Sequence, residues 1–227
     1  SNDKSSPSPL LVLTQLNNDN GINHFSNVKK EAGLYHFAIL LPERKYLASF
    51  LCHLQKNLDT QYYEGMADHA VSESIYIHDP DYNGIEIYRD RLPSEWKWNG
   101  NKIHMVTEPL HVTNLLNQNS NEIWKGLSPN TSIGHVHLHV SNLIRAKKFY
   151  DVLGLNHTAS YPGAYFFAAN GYHHHVATNT WMGTNILPAN NNNDQNKSGL
   201  DHYAIIISEA KEEEIANLKT ILSVWEY

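Results

Sequence analysis

The feature that most limits what this chain can fold into is an internal repeat. Residues 33–39 read Gly-Leu-Tyr-His-Phe-Ala-Ile, and residues 199–205 read Gly-Leu-Asp-His-Tyr-Ala-Ile. Between them, residues 133–140 (Ile-Gly-His-Val-His-Leu-His-Val) alternate strictly, which puts Val136, Leu138 and Val140 on one face of a strand. The first opening, an apolar strand over 34–41, stops at Pro42. Tyr46, Leu47, Phe50, Leu51 and Leu54 then recur at the spacing of an amphipathic helix over 43–54. Short strands are expected at 74–78 and 85–88, joined by the turn formers Asp79-Pro80-Asp81-Tyr82-Asn83-Gly84. The middle opening is succeeded in the same way. Asn142 is a good N-cap for a helix carrying Leu143, Ala146, Phe149, Tyr150 and Leu153, and Gly154 sits where that helix would end. Strands are expected at 164–169 and 174–180.

A repeat on this scale decides the fold class before any single residue does. Each βαβββ unit offers a curved half-sheet, and two units close into a cup whose strand edges are paired. The expectation is therefore an α+β protein of repeated βαβββ modules pairing into curved mixed sheets. Units are expected over 31–92 and 132–185, joined by a linker at 93–131, after residues 1–30 and before a loop with a further opening at 186–227. Residues 9–16 (Pro-Leu-Leu-Val-Leu-Thr-Gln-Leu) read as a buried strand, and 209–222 as a helix behind the last repeat. Trp96, Trp98 and Trp124 are expected to anchor the linker, and 190–193 is a polar loop.

Composition removes several function classes. The 227 residues are 41% apolar and 18% charged, enough for a real hydrophobic core. A net charge of -6 without a basic run argues against nucleic acid as a partner. The sequence has no run of about eighteen apolar residues to span a membrane, and no charged-then-apolar leader. Cys52 is the single cysteine, which excludes a disulfide framework and a thiolate zinc site and fits the cytoplasm. The unusual count is 15 histidines, with clusters at His135, His137, His139 and at His173, His174, His175. Both clusters lie inside patterned segments, where histidine serves as metal ligand or as acid and base.

Four segments together carry a resemblance: 33–42 (Gly-Leu-Tyr-His-Phe-Ala-Ile-Leu-Leu-Pro), 79–88 (Asp-Pro-Asp-Tyr-Asn-Gly-Ile-Glu-Ile-Tyr), 133–140, and 171–181 (Gly-Tyr-His-His-His-Val-Ala-Thr-Asn-Thr-Trp). The chain resembles the catechol 2,3-dioxygenase-like branch of the vicinal-oxygen-chelate superfamily over nearly its whole length. The resemblance implies four modules, of which the first lacks its opening and the fourth is abbreviated. It implies a metal cup with ligands on the first and last strands of two paired modules. Those are His36 and Glu86 from module two and His135 from module three, a two-histidine, one-carboxylate face that favours Fe(II), with Mn(II) as the alternative. It further implies an acid–base set of His174, Tyr76 and His69. Tyr76 and Glu86 are expected as cross-strand neighbours, His137 and His139 as hydrogen-bonded or exposed, and His173 and His175 on the face opposite His174. Tyr82 departs from the family, which usually has glycine before the asparagine.

The implied activity is oxidative opening of a catechol ring with O2, in a protein with the family's habit of forming homo-oligomers. Two other pairings stay open: modules three and four, with His135, His202 and Glu226, and modules one and two. Two other functions stay open as well. One is a different metal-dependent lyase or transferase of the same superfamily, and the other is a non-enzymatic binder of small molecules.

Overall fold

A computed structural model of the chain describes residues 9–14, 30–57, 59–118, 123–188 and 200–205. Strand β1 (Gly33–Leu40) runs to the proline that ends it, and helix α1 (Arg44–Asn57) comes next. The helix buries Leu47, Ala48, Phe50 and Leu51 against the sheet, with Ile75 and Ile87 in the same cluster. Three strands complete the unit: β2 (Tyr63–Asp68), β3 (Ser72–His78) and β4 (Gly84–Asp90). A connecting segment carries β5 (Trp98–Asn99), β6 (Lys102–Ile103) and the short helix α2 (Val112–Leu116). The order then recurs as β7 (Ser132–His139), α3 (Leu143–Val152), β8 (Asn156–Tyr161), β9 (Ala164–Ala168) and β10 (Val176–Asn179).

The two βαβββ units form one eight-stranded mixed sheet in the order β2-β3-β4-β1-β7-β10-β9-β8. Within each unit the first strand lies parallel to the last, β1 to β4 and β7 to β10. The units meet where β1 and β7 pair antiparallel, so the order reads alike from either end. The sheet curls, as strands with consistent twist must.

Two irregularities in the β1–β7 seam redirect side chains. The register slips once between Leu34 and His36, leaving Tyr35 as an extra residue on β1. It slips again between Ala38 and Ile39, where β7 carries Gly134 as the extra residue. A bulge re-aims side chains on either side of it. The first one lets Tyr35 and His36 put their rings 4.8 Å apart, which strict alternation would prevent. The second makes room for Tyr88, because a Cβ at Gly134 would stand 1.8 Å from the Tyr88 hydroxyl oxygen.

Helix caps and ion pairs fasten the helices to this frame. The Asn142 side chain accepts hydrogen bonds from the backbone N–H of Ile144 (2.9 Å) and Arg145 (3.0 Å), as its position predicts. Gly154 ends that helix at φ +81°. At the start of α1, Arg44 Nε donates to Glu73 on β3 at 2.6 Å, and Arg89 Nε on β4 donates to the same carboxylate at 2.7 Å. Burial alone would raise the Glu73 carboxyl, but the two guanidiniums outweigh it and hold it below its ordinary range.

Several expectations need correction. Strands β2 and β8 were not foreseen as separate elements, since their mixed sequences lack a clean alternation. Residues 9–14 form no strand, and Leu10, Leu11, Val12 and Leu13 are exposed, because no described strand lies beside them to bury that run. Trp96 is buried and donates its indole N–H to the Val71 carbonyl at 3.1 Å, and Trp124 packs on Phe50. Trp98, by contrast, is exposed on its two-residue strand. Residues 200–205 have no regular structure, although Tyr203 meets Tyr150 through their hydroxyls at 3.0 Å. The expected loop at 190–193 and helix at 209–222 lie outside the described residues.

Replacing Gly134 with alanine tests the seam. The variant should lose about 1–3 kcal/mol in urea unfolding, the usual cost of overpacking a tight core. Unchanged stability would mean that Tyr88 and β7 are not in close contact.

Candidate metal centre

Register alone brings four side chains of the sheet into one row. Tyr76 on β3 is opposite Glu86 on β4, Glu86 is opposite Ala38 on β1, and Ala38 is opposite His135 on β7. Residues in register share a face, so Glu86 and His135 flank the small methyl of Ala38. His36 is two residues before Ala38 and therefore on the same face. The three candidate ligands are buried, and their donor atoms lie within 4.8 Å of one another. His36 Nε2 is 3.1 Å from Glu86 Oε2, and His135 Nε2 is 2.9 Å from the same oxygen. Donor atoms at right angles on an ion with bonds of roughly 2.1 Å stand about 3 Å apart, so these separations suit a single ion.

The polar partners of these groups fit a cation. Ser74 Oγ donates to Glu86 Oε1 at 2.5 Å, which fixes the carboxylate and leaves Oε2 facing the two imidazoles. His36 Nε2 is fully buried and makes no well-aligned hydrogen bond, despite its short distance to Oε2. A shared cation resolves an orphaned imidazole nitrogen beside a carboxylate. Burial alone would raise Glu86, but the imidazoles of His135 and His36 overcome it and hold the carboxyl well below its ordinary range. Burial lowers His135, against the pull of Glu86. A neutral imidazole next to an ionised carboxylate is the protonation state that metal binding requires.

His174 stands beside this trio, its ring centroid 4.1 Å from that of His135. Burial first, then the neighbouring imidazoles of His135 and His173, push it well below the ordinary histidine range. It does not lie in β10 as expected, but in the bend two residues before that strand. His173 and His174 are therefore not on opposite faces: their Nδ1 atoms are 2.7 Å apart, which a bend permits and an alternating strand does not.

Tyr76 and His69 lie on the other side of the trio. The Tyr76 ring centroid is 5.6 Å from that of His36, and the His69 Nε2 to Tyr76 Oη distance is 2.7 Å. His69 Nδ1 faces the carbonyl of Val106 at 2.7 Å and must donate to it. Its Nε2 then accepts the Tyr76 hydroxyl proton, since a neutral imidazole has one donor and one acceptor. Burial, and after it the charge of Glu86, raises the Tyr76 phenol well above its ordinary value. An aromatic wall continues the face beyond His36, with Tyr35 packed 5.1 Å from His137 and 5.5 Å from Trp181 between ring centroids. His137 is buried and accepts from Asn179 Nδ2 at 3.1 Å, while His139 Nδ1 donates to Asn179 Oδ1 at 2.7 Å.

No family model matches the chain. A curated protein named "Catechol-2,3-dioxygenase" from Bacillus subtilis (strain 168) is 45% identical over 185 residues, which is 79% of this chain. The chain is thus similar to a protein of the catechol 2,3-dioxygenase type over most of its own length. It spans 62% of that relative's own length. Among solved structures, a methylmalonyl-CoA epimerase from Mycobacterium tuberculosis is 11% identical, with a TM-score of 0.35 over 69% of this chain and 88% of the other.

Of the six residues expected at the site, the structure groups His36, Glu86 and His135, with His174 beside His135, Tyr76 beside His36, and His69 against Tyr76. Sequence reasoning missed the groups that hold them: Ala38, whose small side chain separates Glu86 from His135, and Ser74, which fixes the carboxylate. Alternation with Tyr76 was the available signal for Ser74. His202 is exposed, paired only with its neighbour Asp201 at 2.7 Å, and stands apart from the three-residue cluster. Glu226 lies outside the described residues. Tyr82 takes φ +62° where glycine is usual, and its ring stacks on His78 at 4.3 Å between centroids. No described helix is long and apolar enough to cross a membrane.

The lowered histidines make the metal-free protein sensitive to pH. Burial lowers His137 as well, further reduced by the nearby His36 and His135. A histidine whose folded pKa is depressed binds its proton more readily when unfolded. Its stabilising effect is complete above the unfolded pKa of about 6.5 and declines as pH falls toward the lower folded value. Glu86, also depressed, keeps its contribution until pH falls below about 4.3. The thermal midpoint of chelator-treated protein should therefore drop steadily from pH 6.5 to 5. His137→Asn should remove roughly one proton's worth of that slope. A midpoint flat over this range would show that these rings are not buried as neutral groups.

Proposed function

We propose that this chain carries the active site of an extradiol ring-cleaving dioxygenase, which opens a catechol-type aromatic diol next to its two hydroxyls. The observation that supports this most is the buried His36, Glu86 and His135 trio with neutral His174 beside it. Two imidazoles and one carboxylate on one face leave the remaining coordination positions open, the arrangement suited to non-haem Fe(II), with Mn(II) able to use the same ligands. When bound, the metal supplies a redox-active point at which a catechol and O2 meet, so an encounter between two molecules becomes intramolecular.

The chain's own residues do the rest. Glu86 would be the carboxylate that holds the metal, with Ser74 fixing its Oε1. His174 takes the proton of one substrate hydroxyl, a role suited to an imidazole kept neutral by burial. The Tyr76 hydroxyl, whose proton is held by His69 Nε2, offers its oxygen as acceptor to the second substrate hydroxyl and assists ring opening. Tyr35, His137 and Trp181, packed edge-on to one another, form an aromatic wall beside the site for a planar ring to pack against. Both atoms of O2 end in the product, so no external reductant is needed. Cys52 as the single cysteine fits a reducing compartment, and we place the protein in the cytoplasm.

The test begins with anaerobic loading of the protein with Fe(II), and catechol is then added in air. A yellow ring-fission product is expected. His174→Ala should keep its iron and lose about 10²–10⁴ in kcat. Glu86→Gln should fail to retain iron. Iron bound without colour would point to a lyase or transferase, and absence of iron binding to a small-molecule binder. Iron retained by Glu86→Gln would remove Glu86 from the ligand set.

A further inference from the structure

Behind His174 lies a chain of hydrogen bonds that includes none of His36, Glu86 and His135. His174 Nδ1 is 2.7 Å from His173 Nδ1, and His173 Nε2 is 2.7 Å from Asp90 Oδ1. The second oxygen of Asp90 accepts the Tyr172 hydroxyl at 2.8 Å, and Tyr172 in turn meets the Tyr88 hydroxyl at 3.0 Å. His173 is fully buried and His174 nearly so. Asp90 comes from the end of β4, in the first βαβββ unit, whereas both histidines come from the second.

The geometry points to Asp90 and His173 as positioning residues that set which nitrogen of His174 carries its proton. The inference rests on the proposed role of His174 as the base. A carboxylate only accepts, so His173 must give it the Nε2–H. A neutral His173 then has a lone pair on Nδ1, and the 2.7 Å contact requires His174 to donate its Nδ1–H there. His174 is thereby left with its lone pair on Nε2, an atom to which no described residue is hydrogen-bonded. The opposite arrangement would need a charged His173 inside the fold and would turn His174 Nε2 into a donor. The logic is that of a base oriented by a third group, with one extra imidazole between base and carboxylate.

Tyr172 adds a lever. Its hydroxyl donates to Asp90 Oδ2. In Asp90→Asn the amide oxygen keeps that bond, which turns the amide N–H groups toward His173 Nε2. His173 must then carry its proton on Nδ1 and give it to His174, whose own proton moves to Nε2. One atom changed on β4 inverts both imidazoles without emptying any space.

The experiment uses protein labelled with ¹⁵N-histidine and loaded with diamagnetic Zn(II), read by long-range ¹H–¹⁵N spectra. In the unmodified protein His174 should show a protonated Nδ1 and an unprotonated Nε2. In Asp90→Asn the pattern should invert. The iron-loaded Asp90→Asn enzyme should lose about 10²-fold or more in kcat, with KM and metal content unchanged. A protonated His174 Nε2 in the unmodified protein overturns the inference even if the variant does not fold. An Asp90→Asn variant with unchanged tautomer and unchanged kcat overturns it too. The expected tautomers in a protein that cleaves no catechol would leave the relay standing and remove the dioxygenase reading instead.

Discussion

The antiparallel pairing of β1 with β7 is the contact on which everything else in this molecule depends. It joins two βαβββ units into one sheet, and it carries His36 and His135 on its two strands. Neither unit alone can assemble the trio, because Glu86 and His36 come from one and His135 from the other. The two bulges in the seam are part of the same device. They fall at Tyr35 and Gly134, on either side of the ligand positions: the first sets the Tyr35 ring beside His36, and the second leaves room for the Tyr88 hydroxyl.

Electrostatics are set by that pairing. One carboxylate is buried against two imidazoles, with further imidazoles of His137 and His174 packed around them. Burial disfavours charge on His135, His137 and His174, while the imidazoles of His135 and His36 favour charge on Glu86. The site is thus organised as a buried anion among imidazoles. Such a set costs stability unless the anion is compensated, and a divalent cation compensates it best. The groups that fix Glu86 and orient His69 come from side chain and backbone just outside the trio, Ser74 and the Val106 carbonyl.

Much of this was legible in the sequence because the governing signals are periodic. Repeated strand openings pointed to βαβββ units, and the tight hairpin at 79–84 put Tyr76 across from Glu86. What stayed hidden depends on departures from period. Nothing in Gly-Leu-Tyr-His-Phe announces a bulge at Tyr35, and the run His173-His174-His175 reads as alternating strand although the chain bends there. The Asp90 contact to His173 spans 83 residues and joins two units, so no local pattern reports it. Residues 9–16 misled for the converse reason: an apolar run implies burial only if a neighbour exists to bury it. The third echo of the repeat, at 199–205, has the right residues, yet His202 faces solvent.

The central claim is that His36, Glu86 and His135 hold one ion between the two units. Crystals grown anaerobically with Fe(II), measured on both sides of the iron absorption edge, test it most directly. The account predicts one strong anomalous peak within bonding distance of His36 Nε2, His135 Nε2 and Glu86 Oε2. A peak at His202, or no anomalous peak at the trio in protein that still cleaves catechol, would contradict it.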